Sequence, residues 1–486
     1  MFSYTFLNMS TLFSGLFVIN FIIAFTIIFL ERKNPSATLA WIMILFLIPV
    51  VGIVFYFLFS QNISRQRIFR LTKYEEASIN ASLHEQIMSI KNRDFHFTNP
   101  ESKKWQDMIL LHQTYGDAYF TQDNMITVLT DGKHKFDCLL HDIKNARKSL
   151  NVMYYIVKND NMGRIFIDSL IEKALQGVEV RLLIDAMGGR QISHKILEPL
   201  KRAGGQYAFF FPPRFKYLNL KLNYRNHRKL VVIDGTIGYL GGFNVGNEYI
   251  GKVKKFGYWR DTHIRLQGSC VQDMNARFIL DWRFAAKEKL NITPYLYDKT
   301  AQEGTTGIQI VSCGPDSSKE EVKQGYLKMI SSAKKNIYIQ SPYFVPDLSI
   351  LELLKTAVLS GVDVRIMIPC KPDHMFVYWA TYSYIGILLN IGAKVYIYDN
   401  GFLHAKTLCV DGEVASIGSA NLDIRSFKLN FEANAFIYDA DEAYKLEAIF
   451  EMDMTNSHEL TKELYANRSI FIRFKESVSR LLSDLL

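Results

Sequence analysis

The sequence predicts a mixed α/β protein made of two copies of one unit, preceded by a pair of apolar helices. Three observations predict it. From about residue 116 to 465, short apolar runs alternate with amphipathic helical patterns, as in α/β domains. That region contains an internal duplication. The first 60 residues hold two long uncharged stretches, and 486 residues exceed what one core accommodates.

Met1 to Leu30 carry no charge, and after the break Glu31-Arg32-Lys33-Asn34-Pro35 a second uncharged stretch runs from Ala37 to Ser60. Each is long enough to span a bilayer, since 20 helical residues cover about 30 Å. A transmembrane helical hairpin over residues 1–60 is therefore expected, with Trp41, Tyr56 and Phe57 at interfacial depth. A cleaved signal peptide fits less well, because neither a basic leading region nor a small-residue cleavage site is present. Arg65, Arg67, Arg70 and Lys73 follow the second stretch, against Arg32 and Lys33 in the turn. This asymmetry predicts a cell-membrane protein with two spans and a cytoplasmic catalytic region.

Residues 61–115 read as a juxtamembrane linker with helical stretches but no motif. Two α/β units then occupy 116–295 and 308–465, joined where Pro294, Gly304 and Gly307 mark a linker. Gly177-Val178-Glu179-Val180-Arg181-Leu182-Leu183-Ile184 recurs as Gly361-Val362-Asp363-Val364-Arg365-Ile366-Met367-Ile368. Ala146-Arg147-Lys148 and Ala333-Lys334-Lys335 precede the two copies, and a strand ending in Tyr154-Tyr155 or Tyr343-Phe344 lies between. Residues 466–486 form an amphipathic helix with Phe471, Phe474, Val478, Leu481 and Leu485 at three- and four-residue spacing. Domain packing is the expectation for that face, and interfacial membrane contact is the alternative. The run Phe209 to Phe215 is either a packed loop or a headgroup-layer insertion.

Composition narrows the class. The 57 basic and 48 acidic residues leave +9, a mild excess that suits an anionic partner. Five scattered cysteines without a CxxC pattern argue against a disulfide framework and a cysteine zinc site. No GxxxxGK[ST], HExxH or EF-hand pattern occurs, so neither a nucleotide nor a metal cofactor is expected.

Both units carry H-x-K-x4-D-x6-G-x2-N: His227, Lys229, Asp234, Gly241 and Asn244, then His404, Lys406, Asp411, Gly418 and Asn421. Five fixed positions match by chance on the order of once in 10⁴ chains of this length, and here they match twice. On an extended strand, His and Lys at i and i+2 face one side, about 7 Å apart, converging on one anion. Asp lies an odd seven residues after His and faces away, so Asp234 and Asp411 read as supports. Asp234-Gly235 and Asp411-Gly412 signal hairpin turns whose return strands bring Asn244 and Asn421 back to the site.

Two imidazoles, two ammonium groups and two carboxamides suit a phosphodiester. Lys229, Lys406, Asn244 and Asn421 would neutralise the phosphoryl oxygens in the transition state. One histidine would attack phosphorus while the other protonates the departing alkoxide. Each imidazole needs an orienting partner, and Asp261 and Glu432, on the strand following each motif, are offered for it. They lie 34 and 28 residues after His227 and His404, so each is expected to serve the histidine of its own unit. His263 reads as structural.

These residues resemble the phospholipase D superfamily, whose paired HxKxxxxD motifs build one active site. More narrowly, the chain is similar to the bacterial cardiolipin synthases. That resemblance rests on Glu31 to Pro35 with Trp41 and Pro49, Asn226 to Lys229, Ser341 to Pro346, Gly401 to Lys406 and Ser426 to Glu432. It implies two phospholipase D-like domains packed with pseudo-twofold symmetry. It also implies a catalytic set of His227, Lys229, Asp234, His404, Lys406 and Asp411, with His227 the usual nucleophile. The implied reaction converts two phosphatidylglycerols into cardiolipin and glycerol without metal or other cofactor. Its partners would be phosphatidylglycerol and the lipid bilayer, with no nucleic acid and no obligate protein partner. The chain departs from the family in ending Leu482-Ser483-Asp484-Leu485-Leu486 and in lacking an arginine near Thr381 to Tyr384. The alternatives are a phospholipase D-type hydrolase or nuclease, a synthase with another phospholipid donor, and a membrane scaffold with a vestigial fold.

Overall fold

A computed structural model describes residues 2–31, 35–59, 68–212, 223–292, 304–481 and 483. The chain divides into two compact units, Met1–Ile63 with Pro212–Tyr224, and Ser64–Phe211 with Arg225–Leu486.

The first unit contains three helices, α1 (Phe2–Thr26), α2 (Pro35–Leu47) and α3 (Pro49–Phe59), with a π-helical turn over Ile27–Glu31. Ile27, Trp41, Leu45 and Tyr56 form its small core, and Asn20 Nδ2 donates to the Leu45 carbonyl at 2.9 Å. The second uncharged stretch is therefore two helices of 13 and 11 residues, not one continuous span. Pro49 causes the break, because it has no N–H to donate and starts α3 at its first position. Among the described residues no helix is long and apolar enough to cross a membrane. Of the charges that predicted orientation, Arg32, Lys33, Arg65 and Arg67 lie outside the described residues.

The second unit holds both copies of the repeat, and seven sheet strands of the first copy have counterparts in the second. The first half contains β1 (Thr121–Asp131), β2 (Ser149–Tyr154), β3 (Glu179–Asp185), β4 (Gln206–Phe210), β5 (Arg225–Asn226), β6 (Leu230–Ile233), β7 (Ile237–Gly241) and β8 (Trp259–Gln267). The second contains β9 (Thr306–Cys313), β10 (Asn336–Gln340), β11 (Phe344–Val345), β12 (Asp363–Pro369), β13 (Lys394–Tyr398), β14 (Phe402–Leu403), β15 (Thr407–Val410), β16 (Val414–Gly418), β17 (Leu422–Asp423), β18 (Asn430–Tyr438) and β19 (Ser457–Glu459).

Pairing runs β1-β8-β7-β6-β2-β3-β4 in one half and β9-β18-β16-β15-β10-β12-β13 in the other. β1 also pairs with β9, which joins the two sheets. Every residue of β6 and β15 is buried, as their apolar runs predict. Each turns tightly into its return strand, with Ile233 opposite Ile237 and Val410 opposite Val414. The turn residues Asp234, Gly235, Asp411 and Gly412 all have positive φ, as a tight hairpin turn requires.

Two short strands cross between the halves. β5 lies parallel to β18, pairing Arg225 with Asn430, and β14 lies parallel to β8, pairing Phe402 with Trp259. The segment leading into each motif therefore runs beside a long strand of the opposite half, β18 or β8.

The 61–115 region is more than a connector. Helices Lys73–Lys91, Pro100–Lys104 and Gln106–Gly116 lie within it, and Ile90, Trp105, Met108 and Ile109 enter the second half's core with Val322 and Tyr326. Phe210 and Phe211 pack against Phe284 and Phe431, while Pro213, Arg214 and Phe215 lie outside the described residues. The C-terminal helix, Ile470–Leu481, corrects the packing expectation, because Phe471, Phe474 and Leu481 are exposed and the buried side carries Glu476 and Ser479. Leu485 lies outside the described residues.

Candidate active site

The crossed strands dictate the geometry. His227 N–H donates to the Phe431 carbonyl at 2.9 Å, and His404 N–H to the Arg260 carbonyl at 2.6 Å. Each histidine is thereby laid beside the carboxylate that follows on the other half's strand. His227 Nδ1 lies 3.0 Å from Glu432 Oε2, and His404 Nδ1 lies 2.6 Å from Asp261 Oδ2. This corrects the sequence expectation that each carboxylate serves its own unit. Glu432 belongs to His227 and Asp261 to His404, because β5 and β14 pair with the opposite half.

The carboxylates are held in turn. Glu432 accepts from Ser419 Oγ at 2.5 Å and from Asn430 Nδ2 at 3.0 Å. Asp261 accepts from Thr262 N–H at 2.8 Å. Ser419 follows the glycine of the second motif, and its counterpart is Gly242. A Cβ at Gly242 would sit 1.9 Å from Asp261 Oδ1, so only glycine admits that carboxylate.

Both lysines precede β6 and β15 and curl back, each donating through Nζ to the carbonyl of its motif histidine. Lys406 Nζ is also 2.9 Å from His404 Nδ1. Tyr155 meets His227 edge-on with ring centroids 4.8 Å apart, and Trp259 lies 5.1 Å from His404.

Burial and charge set the protonation states. Burial lowers His227 to about 4 against the pull of Glu432, so its imidazole is neutral near pH 7. Burial lowers Lys229 to about 7, with the Lys406 charge adding to the shift and Glu432 opposing it. His404 and Lys406 are lowered for the same first reason. Burial pushes Asp261 and Glu432 up, but neighbouring ammonium and imidazole groups outweigh it and hold both below their ordinary values. The site is a buried cluster that favours ionised carboxylates beside neutral imidazoles. Among the described residues no group of three or more His, Cys, Asp or Glu side chains is placed to hold a metal ion.

Asp234 and Asp411 stand apart from this cluster. Asp234 accepts from the backbone N–H groups of Arg147, Lys148 and Ser149, and Asp411 from those of Lys334, Lys335 and Asn336. Each pins its hairpin turn to the start of the neighbouring strand, which explains the repeated Ala-basic-basic segment. Asn244 Oδ1 accepts from Ile156 N–H at 3.0 Å, and its Nδ2 is 3.3 Å from Tyr249 Oη. Asn421 Nδ2 is 3.5 Å from Asp423, and its buried Oδ1 has no hydrogen-bond partner among the described residues. His263 is fully buried near Tyr239 and Phe243, outside the histidine–carboxylate pairs.

Sequence reasoning passed over Arg228, the variable residue of the first motif. It is buried, forks onto Asp281 at 3.0 and 2.9 Å, and donates to the carbonyls of Glu432 and Cys313. Arg260, also buried, forms an ion pair across the halves with Asp453 at 2.7 Å. Arg228 sits in the polar stretch Arg225 to Lys229, where one more charge gives no local signal.

The profile described as cardiolipin synthase, PLD-like domain, matches residues 139–255 and 326–454, which hold both motifs. The chain belongs to this family of cardiolipin synthases within the phospholipase D superfamily. A phospholipase D-nuclease N-terminal profile matches residues 18–61. The cardiolipin synthase of Oceanobacillus iheyensis is 49% identical, covering 99% of this chain and 100% of its own. The major cardiolipin synthase of Bacillus subtilis is 50% identical, covering 98% and 99%. The phosphatidylserine synthase of Haemophilus influenzae has the same fold, with a TM-score of 0.59 at 15% identity over 79% of this chain and all of its own. Cardiolipin synthases of this family are phosphatidyltransferases.

Proposed function

We propose that the chain makes cardiolipin and glycerol from two phosphatidylglycerol molecules by a double displacement at His227 and His404. The observation that carries this reading is the reciprocal pairing of His227 with Glu432 and His404 with Asp261.

Glu432 fixes the proton of His227 on Nδ1 and leaves the Nε2 lone pair for phosphorus. A phosphodiester anion entering between Lys229 and Lys406 offsets their charge, so His404 can take up a proton. Nε2 of His227 then bonds to phosphorus, the bond to the glycerol oxygen breaks, and His404 delivers its proton to that oxygen. Glycerol leaves. A hydroxyl of the second phosphatidylglycerol gives its proton to His404 and attacks phosphorus, the P–N bond breaks, and cardiolipin forms. Lys229 and Lys406 balance the charge on the non-bridging oxygens, with one N–H of Asn244 and Asn421 assisting. One phosphodiester replaces another, so no nucleotide has to be spent. In this reading the phospholipase D-like domains span 116–295 and 308–465. In the same reading the N-terminal stretch anchors the catalytic region through two spans, the second broken at Pro49, as its uncharged sequence supports. The basic residues that follow favour the cytoplasmic face.

Incubation with phosphatidylglycerol vesicles and chromatography of the products tests the reaction. Cardiolipin and glycerol in equal amounts are expected. Phosphatidic acid as the main product would make the chain a hydrolase, and cardiolipin only when another donor is added would change the substrate.

A further inference from the structure

The C-terminal helix Ile470–Leu481 is turned inside out. Its buried side presents Glu476, ion-paired to Arg468 at 2.8 Å, and Ser479. Its outer side presents Ile470, Phe471, Phe474 and Leu481, exposed by 78%, 75%, 67% and 83%. Ile470, Phe474 and Leu481 are four and seven residues apart and share one stripe, with Phe471 at its edge. Arg473 and Arg480, seven apart, border the stripe on one side, and Lys475 borders it on the other. The only acid of this helix is the buried Glu476, so its exposed charge is entirely positive.

We infer that this helix docks in the plane of an anionic bilayer surface, with its phenylalanines in the acyl boundary and its basic rows on lipid phosphates. Charge complementarity selects that occupant, because an apolar stripe between two cationic rows matches the layering of headgroups over chains. A second copy of the same helix would instead bring like-charged rows together.

The exposed apolar surface extends to the neighbouring helix Met375–Ile391. The helix packs on Met375–Ile391, where Lys475 Nζ lies 5.3 Å from the Trp379 ring. One turn before Trp379, Met375 and Phe376 are also exposed, by 52% and 56%. That helix follows Asp373, whose charge acts on both His404 and Lys406. Docking at Phe474 would thus hold the histidine pair close to the lipid it draws on. The inference stands on the surface alone and survives if the transfer chemistry proves different.

The test uses the full chain carrying Phe474→Cys, or in a second preparation Phe471→Cys, labelled with a polarity-sensitive dye. Labelled wild type gives the background from the native cysteines. After reconstitution, the emission should shift to the blue in vesicles containing phosphatidylserine and stay unshifted in phosphatidylcholine alone. Arg473→Gln with Lys475→Gln and Arg480→Gln should abolish the shift, and a label at Glu463→Cys should show none. Identical emission in both vesicles overturns the proposal. So does a shift that follows protein concentration instead of lipid composition, which would make the occupant a second copy.

Discussion

His227 and Glu432 stand 205 residues apart in the chain and 3.0 Å apart in space, and His404 and Asp261 repeat the relationship in reverse. Neither motif histidine takes its carboxylate from its own half. In the proposed mechanism the duplicated unit therefore needs both copies folded together.

Glu432→Gln should therefore disable His227, and Asp261→Asn should disable His404. Each loses the charge that orients an imidazole, and turnover should fall by about 10²–10⁴-fold with little change in Tm. Ring-proton NMR across a pH series separates the pairs. The His227 titration should move downward with Glu432→Gln and hold still with Asp261→Asn; the opposite pattern refutes the crossed assignment.

Asp234→Asn and Asp411→Asn should act on folding. Each removes a carboxylate shared by three backbone N–H groups, a loss of about 1–3 kcal/mol. Denaturant unfolding should show that loss while kcat of the folded protein stays near wild type. A collapse of kcat at unchanged stability would return these residues to the chemistry.

The pH profile should lack a limb at the ordinary imidazole value of 6.5, since His227 is lowered to about 4 and His404 is lowered as well. Lys229, lowered to about 7, loses its charge as pH rises through that value, so kcat/KM should fall on the alkaline side. Lys229→Arg keeps its charge and should move that limb upward, whatever it costs in rate. An alkaline limb that does not respond to Lys229→Arg would assign the titration elsewhere.

Away from the site, Glu75 caps its helix with Thr72 and pairs with Arg283 at 3.0 Å, which lowers its carboxyl from 4.5 to about 2. A carboxyl with a depressed folded pKa stabilises above its unfolded value and loses that contribution as pH falls from 4.5 toward 2. The shift corresponds to about 3 kcal/mol at neutral pH. Glu75→Gln should lower stability at pH 7 by that order and much less at pH 3, as measured by denaturant midpoints.

The local geometry around the motifs was legible because strand period and turn chemistry are local. His–Lys spacing, the Asp-Gly turns and the buried strands Leu230–Ile233 and Thr407–Val410 all follow from residues within ten positions of one another. The exchange of carboxylates was not legible, because β5 and β14 are two residues long and pair across the halves without a periodic signal. The buried Arg228 escaped for a related reason, since its partners come from distant segments. Pro49 was visible in the sequence, but apolar length outweighed it in the reading of a single second span. In the C-terminal helix the spacing was right and the direction wrong, because periodicity finds a stripe without saying which side faces the core.

Trapping the covalent intermediate tests the central claim most directly. Enzyme mixed with radiolabelled phosphatidylglycerol and quenched in alkali should carry an acid-labile phosphatidyl group that maps to His227. His227→Ala should carry none. A catalytically active protein that yields no labelled enzyme, or label that persists in His227→Ala, would contradict the account.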